Sequence, residues 1–258
     1  VSVRRAFWLR LFVSPLSDTL EPWVPSENQV GSASKQGSSG DFVLETELAI
    51  FARVPVAGQV KTRLEPLLGS DGAYAAHIEL SENTLRRLAR VPGCVTTLWL
   101  DDHPNAVALD WREQFGVALA IQPAGDLGQR MMAALAGALA RGRAGLVVGT
   151  DCPPIDAAYV RRSVALLKYH DVAFGPAEDG GYGLVGLAPS AFAGDADRRA
   201  SELFRRVRWG SRFALSDTLS NAVRAHRRIA LLPAIWDVDE PEDWLRHVAL
   251  QGRDRDDC

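Results

Sequence analysis

The chain has little cysteine. Cys94, Cys152 and Cys258 are the three in 258 residues, an odd set with no CxxC spacing. Such a set builds neither a disulfide framework nor a structural zinc site, and a reducing, cytoplasmic setting is the natural expectation. Positive charge is not in excess: a formal net charge of -3 gives no global basic field, which disfavours nucleic acid and favours small-molecule partners. No apolar run approaches the roughly 18 residues of a membrane-spanning helix, so no stable membrane insertion is expected. What is abundant is apolar sequence, 47% of the chain, enough for one sizeable core.

Residues 26–41 are rich in Ser and Gly and almost free of apolar side chains, and so cannot repay the entropy of ordering. The expected organisation is an extension and linker over 1–46, a domain over 47–250 and a tail over 251–258. The Arg4-Arg5 pair resembles a twin-arginine signal only superficially, because Arg10 and Pro15 interrupt the apolar stretch. Residues 1–25 read as a poorly ordered appendage, an upstream extension, or a docking segment led by Phe7, Trp8, Phe12 and Trp23.

From Glu47 onward, short apolar runs alternate with helical stretches, the sequence form of βαβ units around a mostly parallel sheet. Strands are expected over 48–54, 94–100, 117–122, 145–149, 172–174, 182–187 and 229–235. Helices are expected over 72–90, 128–141, 201–206 and 216–227. A further helix is expected to run from an Asp156 N-cap to about Lys168, and a last one to start at Pro241.

The segment F-A-R-V-P-V-A-G-Q-V-K-T-R-L (51–64) leaves the first strand at the sheet edge where open α/β folds bind ligands. Pro55 stiffens it, and Gly58 permits the positive φ that brings main-chain N–H groups to an anion. Arg53, Lys61 and Arg63 place three cations on one loop, a grip suited to a diphosphate or triphosphate. The GxxxxGK[ST] spacing of a P-loop is absent, and the plain alternative is a solvated basic loop.

L-V-V-G-T-D-C-P-P (146–154) puts Asp151 directly after an apolar strand, making it the leading ligand for a hard divalent cation such as Mg or Mn. A turn or cap aspartate is the plain reading, and Cys152 beside it lacks a His partner for thiol chemistry. G-P-A-E-D-G-G-Y (175–182) is a second strand-end loop. Asp179 there is a candidate to bind the metal or orient the acceptor, with Gly180, Gly181 and Tyr182 on the acceptor side, and a tight hairpin is the plain reading. In W-D-V-D-E-P-E-D (236–243), Asp239 is a candidate to face the site, while Glu240, Glu242 and Asp243 suit a helix N-terminus.

These segments, with G-D-L-G-Q-R-M (125–131), occur in an order that resembles a family of bacterial GT-A-type proteins described as a domain of unknown function or as candidate glycosyltransferases. The resemblance covers about residues 47–248. It implies a nucleotide-diphospho-sugar transferase-like (GT-A) Rossmann-type three-layer sandwich, a fold shared with molybdenum-cofactor and phospholactate nucleotidyltransferases. It also implies that residues 125–130, with Leu127, Gly128 and Arg130, lie along the nucleotide. Two departures stand out: Asp151 is followed by Cys152 and Pro153 instead of completing an Asp-any-Asp motif, and Gly183 follows Tyr182 where the family often has an aromatic, a change expected to enlarge the acceptor pocket.

Three functions compete. The first is metal-dependent glycosyl transfer from a nucleotide sugar to a small-molecule acceptor. The second is nucleotidyl transfer from a nucleoside triphosphate, and the third is nucleotide binding without turnover. Oligomeric state is not legible.

Overall fold

The computed structural model describes residues 45–192 and 201–256. The readings of residues 1–44 and of Cys258 lie outside these. A seven-stranded sheet organises the chain: β1 (Thr46–Ala52), β2 (Cys94–Leu100), β3 (Ala118–Ile121), β4 (Ala144–Gly149), β5 (Val172–Pro176), β6 (Tyr182–Leu187) and β7 (Ile229–Leu231). Their spatial order is β3-β2-β1-β4-β6-β5-β7. Every neighbouring pair is parallel except the two that involve β6, which runs against both β4 and β5.

Alternation along the strands sorts the helices onto two faces. Leu48, Ile50, Leu98, Leu100, Leu146 and Val148 pack on α1 (Glu65–Leu88), α2 (Ala106–Phe115) and α4 (Ala157–Leu167). Ala49, Val147, Phe174, Val185 and Leu187 pack on α3 (Leu127–Ala140) and α5 (Ala214–Arg224). The result is the expected three-layer α/β sandwich. A smaller cluster of Leu64, Ala76, Leu80, Trp236 and Val238 fastens the start of α1 to the segment before α6 (Pro241–Asp256). Among the described residues no helix is long and apolar enough to cross a membrane.

Local chemistry explains most boundaries. Asp156 caps α4 by accepting from the Tyr159 N–H at 2.7 Å, and Asp126 with Gln129 forms a reciprocal capping box on α3. β4 is buried almost throughout, as a central strand with helices on both faces must be. Four readings change. The first helix starts at Glu65 and breaks at Gly69, whose φ of 71° is not helical. The expected strand over 229–235 stops at Leu231, since Pro233 has no N–H to pair, and resumes as one bridge between Ala177 and Ile235. Residues 202–206 run as turns, ending at Arg206 with φ 56°. The last helix continues to Asp256, through most of the segment read as a tail.

Helix α2 is the element that the sequence reading left out. Its cap is conventional: Asn105 accepts from the Ala108 N–H at 3.1 Å, and Gly116 closes it at φ 66°. Trp111 seats it, 1% exposed, with its indole N–H donating to Glu82 at 3.3 Å. Trp111→Ala should therefore cost about 3–5 kcal/mol, the usual range for emptying a buried aromatic site. Urea denaturation checks it; a change below about 1 kcal/mol would show that α2 is not seated by this ring.

Candidate functional site

In the parallel pair of β1 and β4, Phe51 lies opposite Gly149, so the basic loop and the Asp151 turn leave the sheet side by side. β2 delivers Asp101 and β3 delivers Gln122 to the same edge. β6, being reversed, enters it through the 177–181 turn, and residues 237–239 close it. Together they line a cleft of about 900 Å³. This is the carboxyl edge of the parallel strands, where open α/β sheets bind ligands.

The basic loop is pinned from outside. The Asp101 carboxylate accepts from the Val54 N–H at 2.7 Å, and the Asn105 amide donates to the Pro55 carbonyl at 2.7 Å. Gly58, at φ 73°, makes the turn that lets the Gln59 N–H reach the Val56 carbonyl at 3.0 Å, but it does not itself line the cleft. Buried His77 sits 3.1 Å from the Arg53 carbonyl. Burial holds its pKa below the usual histidine value, so a neutral ring donates there.

Lys61 occupies the middle of the site. Its backbone is left-handed, φ 48°, a conformation that costs a non-glycine residue energy. Its ammonium lies 3.4 Å from Asp151 Oδ2 and donates to the Val238 carbonyl at 2.6 Å. The Val238 N–H in turn donates to the Asp151 carbonyl at 2.8 Å, so three loops are stitched together. Arg63 lines the cleft as expected, but its guanidinium is paired with Asp239 and, at 3.2 Å, with Glu240. Asp239, read as acceptor-side, thus meets the basic loop.

Three carboxylates line the cleft with Lys61: Asp151, Asp179 and Asp237. Burial would raise the Asp151 carboxyl, but the Lys61 charge, with hydrogen bonds from the backbone, Lys61 and Cys152, keeps it below the ordinary aspartate value. For Asp237 a backbone hydrogen bond and the Lys61 charge compensate only in part. Burial first, then the charges of Asp151 and Asp179, push it up to about 7. Asp179 is held in a tight turn, accepting from the Gly181 N–H at 2.8 Å. In donor chemistry this set fits a hard divalent cation, which takes oxygen ligands and retains waters. Among the described residues, however, no three side chains of metal-binding type form a ready-made cage. The Cys152 thiol is buried and pushed up by burial and neighbouring charge, which leaves it unreactive.

Several expected roles move. Leu127 and Arg130 line the cleft, Arg130 held by the Gly125 carbonyl at 3.0 Å and by Gln122 at 3.5 Å. Gly128 does not line it: a Cβ there would sit 2.8 Å from Trp209 and 2.9 Å from Phe204, so this glycine makes room for packing. Gly180, at φ 92°, likewise lets the chain pass the Arg212 carbonyl, while Gly181 and Tyr182 face the cleft. Gly183 lines the cleft, but its missing Cβ makes room for Cys152 and Ile235 and not for an acceptor.

Sequence reading missed Asp237, Asp101, Gln122, His77 and Trp209, all on the cleft wall. For Asp237 a signal existed. Trp236 and Val238 are buried, so in an extended segment Asp237 and Asp239 must both point away from the core.

Fold and site together define a class: an α/β protein with a nucleotide-diphospho-sugar transferase-like fold and a charged cleft at its strand ends. Within it, residues 84–211 match the model of the family described as an uncharacterized protein conserved in bacteria, DUF2064. A candidate nucleotide-diphospho-sugar transferase from Desulfovibrio desulfuricans G20 shares the fold with a TM-score of 0.68 and 28% identity, over 76% of this chain and 83% of that one. The 4-diphosphocytidyl-2C-methyl-D-erythritol synthase of Anaerococcus prevotii DSM 20548 has a TM-score of 0.56 at 11% identity, over 81% and 97%. A CMP:2-keto-3-deoxy-manno-octonic acid synthetase complexed with CTP has 0.53 at 14%, over 81% and 99%. No curated protein is significantly similar in sequence.

Folding lifts the Asp237 carboxyl from an unfolded value of about 3.9, so ionising it destabilises the fold as pH rises from there through about 7. Asp237→Asn should therefore raise the melting temperature in EDTA at pH 8, and by less at pH 5. Calorimetry at both values checks this; an equal or larger gain at pH 5 would contradict it.

Proposed function

We propose that this chain is a glycosyltransferase that takes a nucleotide-diphospho-sugar donor with the aid of Mg or Mn. The observation that carries the reading is that one cleft is lined both by the cations Arg53, Lys61, Arg63 and Arg130 and by the carboxylates Asp151, Asp179 and Asp237. A sugar diphosphate needs donors along its phosphates, and a cation held by carboxylates on its far side. Arg53 and Lys61 suit the diphosphate, and Leu127 and Arg130 suit the base or ribose. Asp151 and Asp237, on turns joined by the Val238 hydrogen bond, are the residues suited to hold the cation. When bound, that cation would neutralise charge on the leaving phosphate. Asp179, Gly181 and Tyr182 suit the acceptor. Positioning and charge complementarity at a preformed cleft would supply most of the acceleration.

Nucleotidyl transfer is the second reading, supported by the fold shared with the two cytidylyl enzymes; the same loop would then grip a triphosphate. The products separate the two. Glycosyl transfer releases a nucleoside diphosphate from a nucleotide sugar, whereas nucleotidyl transfer releases pyrophosphate. With a panel of donors and acceptors, nucleoside diphosphate is the expected product, and pyrophosphate would overturn the assignment. Asp151→Asn should cut turnover by about 10²–10³, the scale seen when a charge-stabilising group is removed, with circular dichroism unchanged. Full turnover in EDTA would remove the metal from this account.

A further inference from the structure

Lys61 has two partners, both outside its own loop: Asp151 at 3.4 Å and the Val238 carbonyl at 2.6 Å. Its ammonium is largely buried, 11% exposed, and its backbone is held in the left-handed region by the turn that starts at Thr62. No other cation pairs with Asp151 among the described residues. A divalent ion on Asp151 needs carboxylate oxygen at about 2.0–2.6 Å. It would then crowd an ammonium already beside the same carboxylate, in a partly desolvated site where like charges repel strongly. The two cations exclude each other unless the ammonium moves, and lysine's flexible stem allows that movement.

What can draw the ammonium away is an anion arriving at the basic loop. We propose that Lys61 is a built-in counter-ion that keeps the cation position on Asp151 closed until a phosphate-bearing ligand draws the ammonium off. The site then refuses free divalent cations and admits them together with the phosphates, and the two ligands strengthen each other reciprocally. This rests on the reading of the cleft as a phosphate and metal site, and it deepens that reading by fixing the order of filling.

The test uses the full chain, without nucleotide, titrated with Mn²⁺ and followed by electron paramagnetic resonance. Wild-type protein should bind Mn²⁺ weakly. K61M keeps the stem and loses the charge; it should bind about ten-fold more tightly, within the usual range of site–site couplings. K61R retains a cation and should remain weak, and K61M/D151N should lose the gain. K61Q serves as a second neutral variant should K61M not fold, with circular dichroism as the check. Equal Mn²⁺ affinity in wild type and the neutral variant, or a gain that survives D151N, overturns the proposal. Failure here is separable from failure of the transferase reading: turnover of nucleotide donors without any gain in K61M refutes only the counter-ion, and a gain without turnover refutes only the transferase.

Discussion

The parallel pairing of β1 with β4 is the constraint on which the site depends. Both strands are buried at the centre of the sheet, and their register is fixed by Leu48, Ile50, Leu146 and Val148, all packed under α1, α2 and α4. A slip of one residue would turn each of these side chains to the opposite face. The register therefore cannot drift, and it decides that the cationic loop after Ala52 and the carboxylate turn after Gly149 emerge together. The chemistry of the cleft begins as a packing requirement two layers below it.

The edge is also a balance of charge. Arg63 is answered by Asp239 and Glu240, and Lys61 by Asp151, while among the described residues no cation forms an ion pair with Asp179 or Asp237. Burial first, and then this surplus, raises the Asp237 carboxyl. A fold optimised for stability alone would not keep three carboxylates in one partly buried cleft.

Much of the framework was legible because local signals and burial agree. The strands Cys94–Leu100 and Tyr182–Leu187 match their expected limits, and Asp156 and Pro241 mark helix starts as capping chemistry requires. The misreadings share a cause. Gly128, Gly180 and Gly183 read as places for ligand, yet the space each leaves is taken by Trp209, Arg212 or Cys152, partners from other segments of the chain. A glycine announces room without saying who fills it. The α2 helix escaped because Trp111, which seats it, is packed on strands and helices that sequence spacing cannot locate. Asp101 and Gln122 carry no local motif and reach the cleft only through sheet order, and His77 reaches it only through the packing of α1.

The reversal of β6 separates two mechanical tasks. The loops after β1 and β4 belong to crossover units, whose length is coupled to helices lying across the sheet. The 177–181 turn instead joins the adjacent antiparallel strands β5 and β6, as a hairpin does. Hairpin turns accept insertions and exchanges with little effect on the strands they join. Descendants of this architecture can thus rewrite one wall of the cleft while inheriting the other unchanged, and diversity should collect in that turn long before it reaches the phosphate loop.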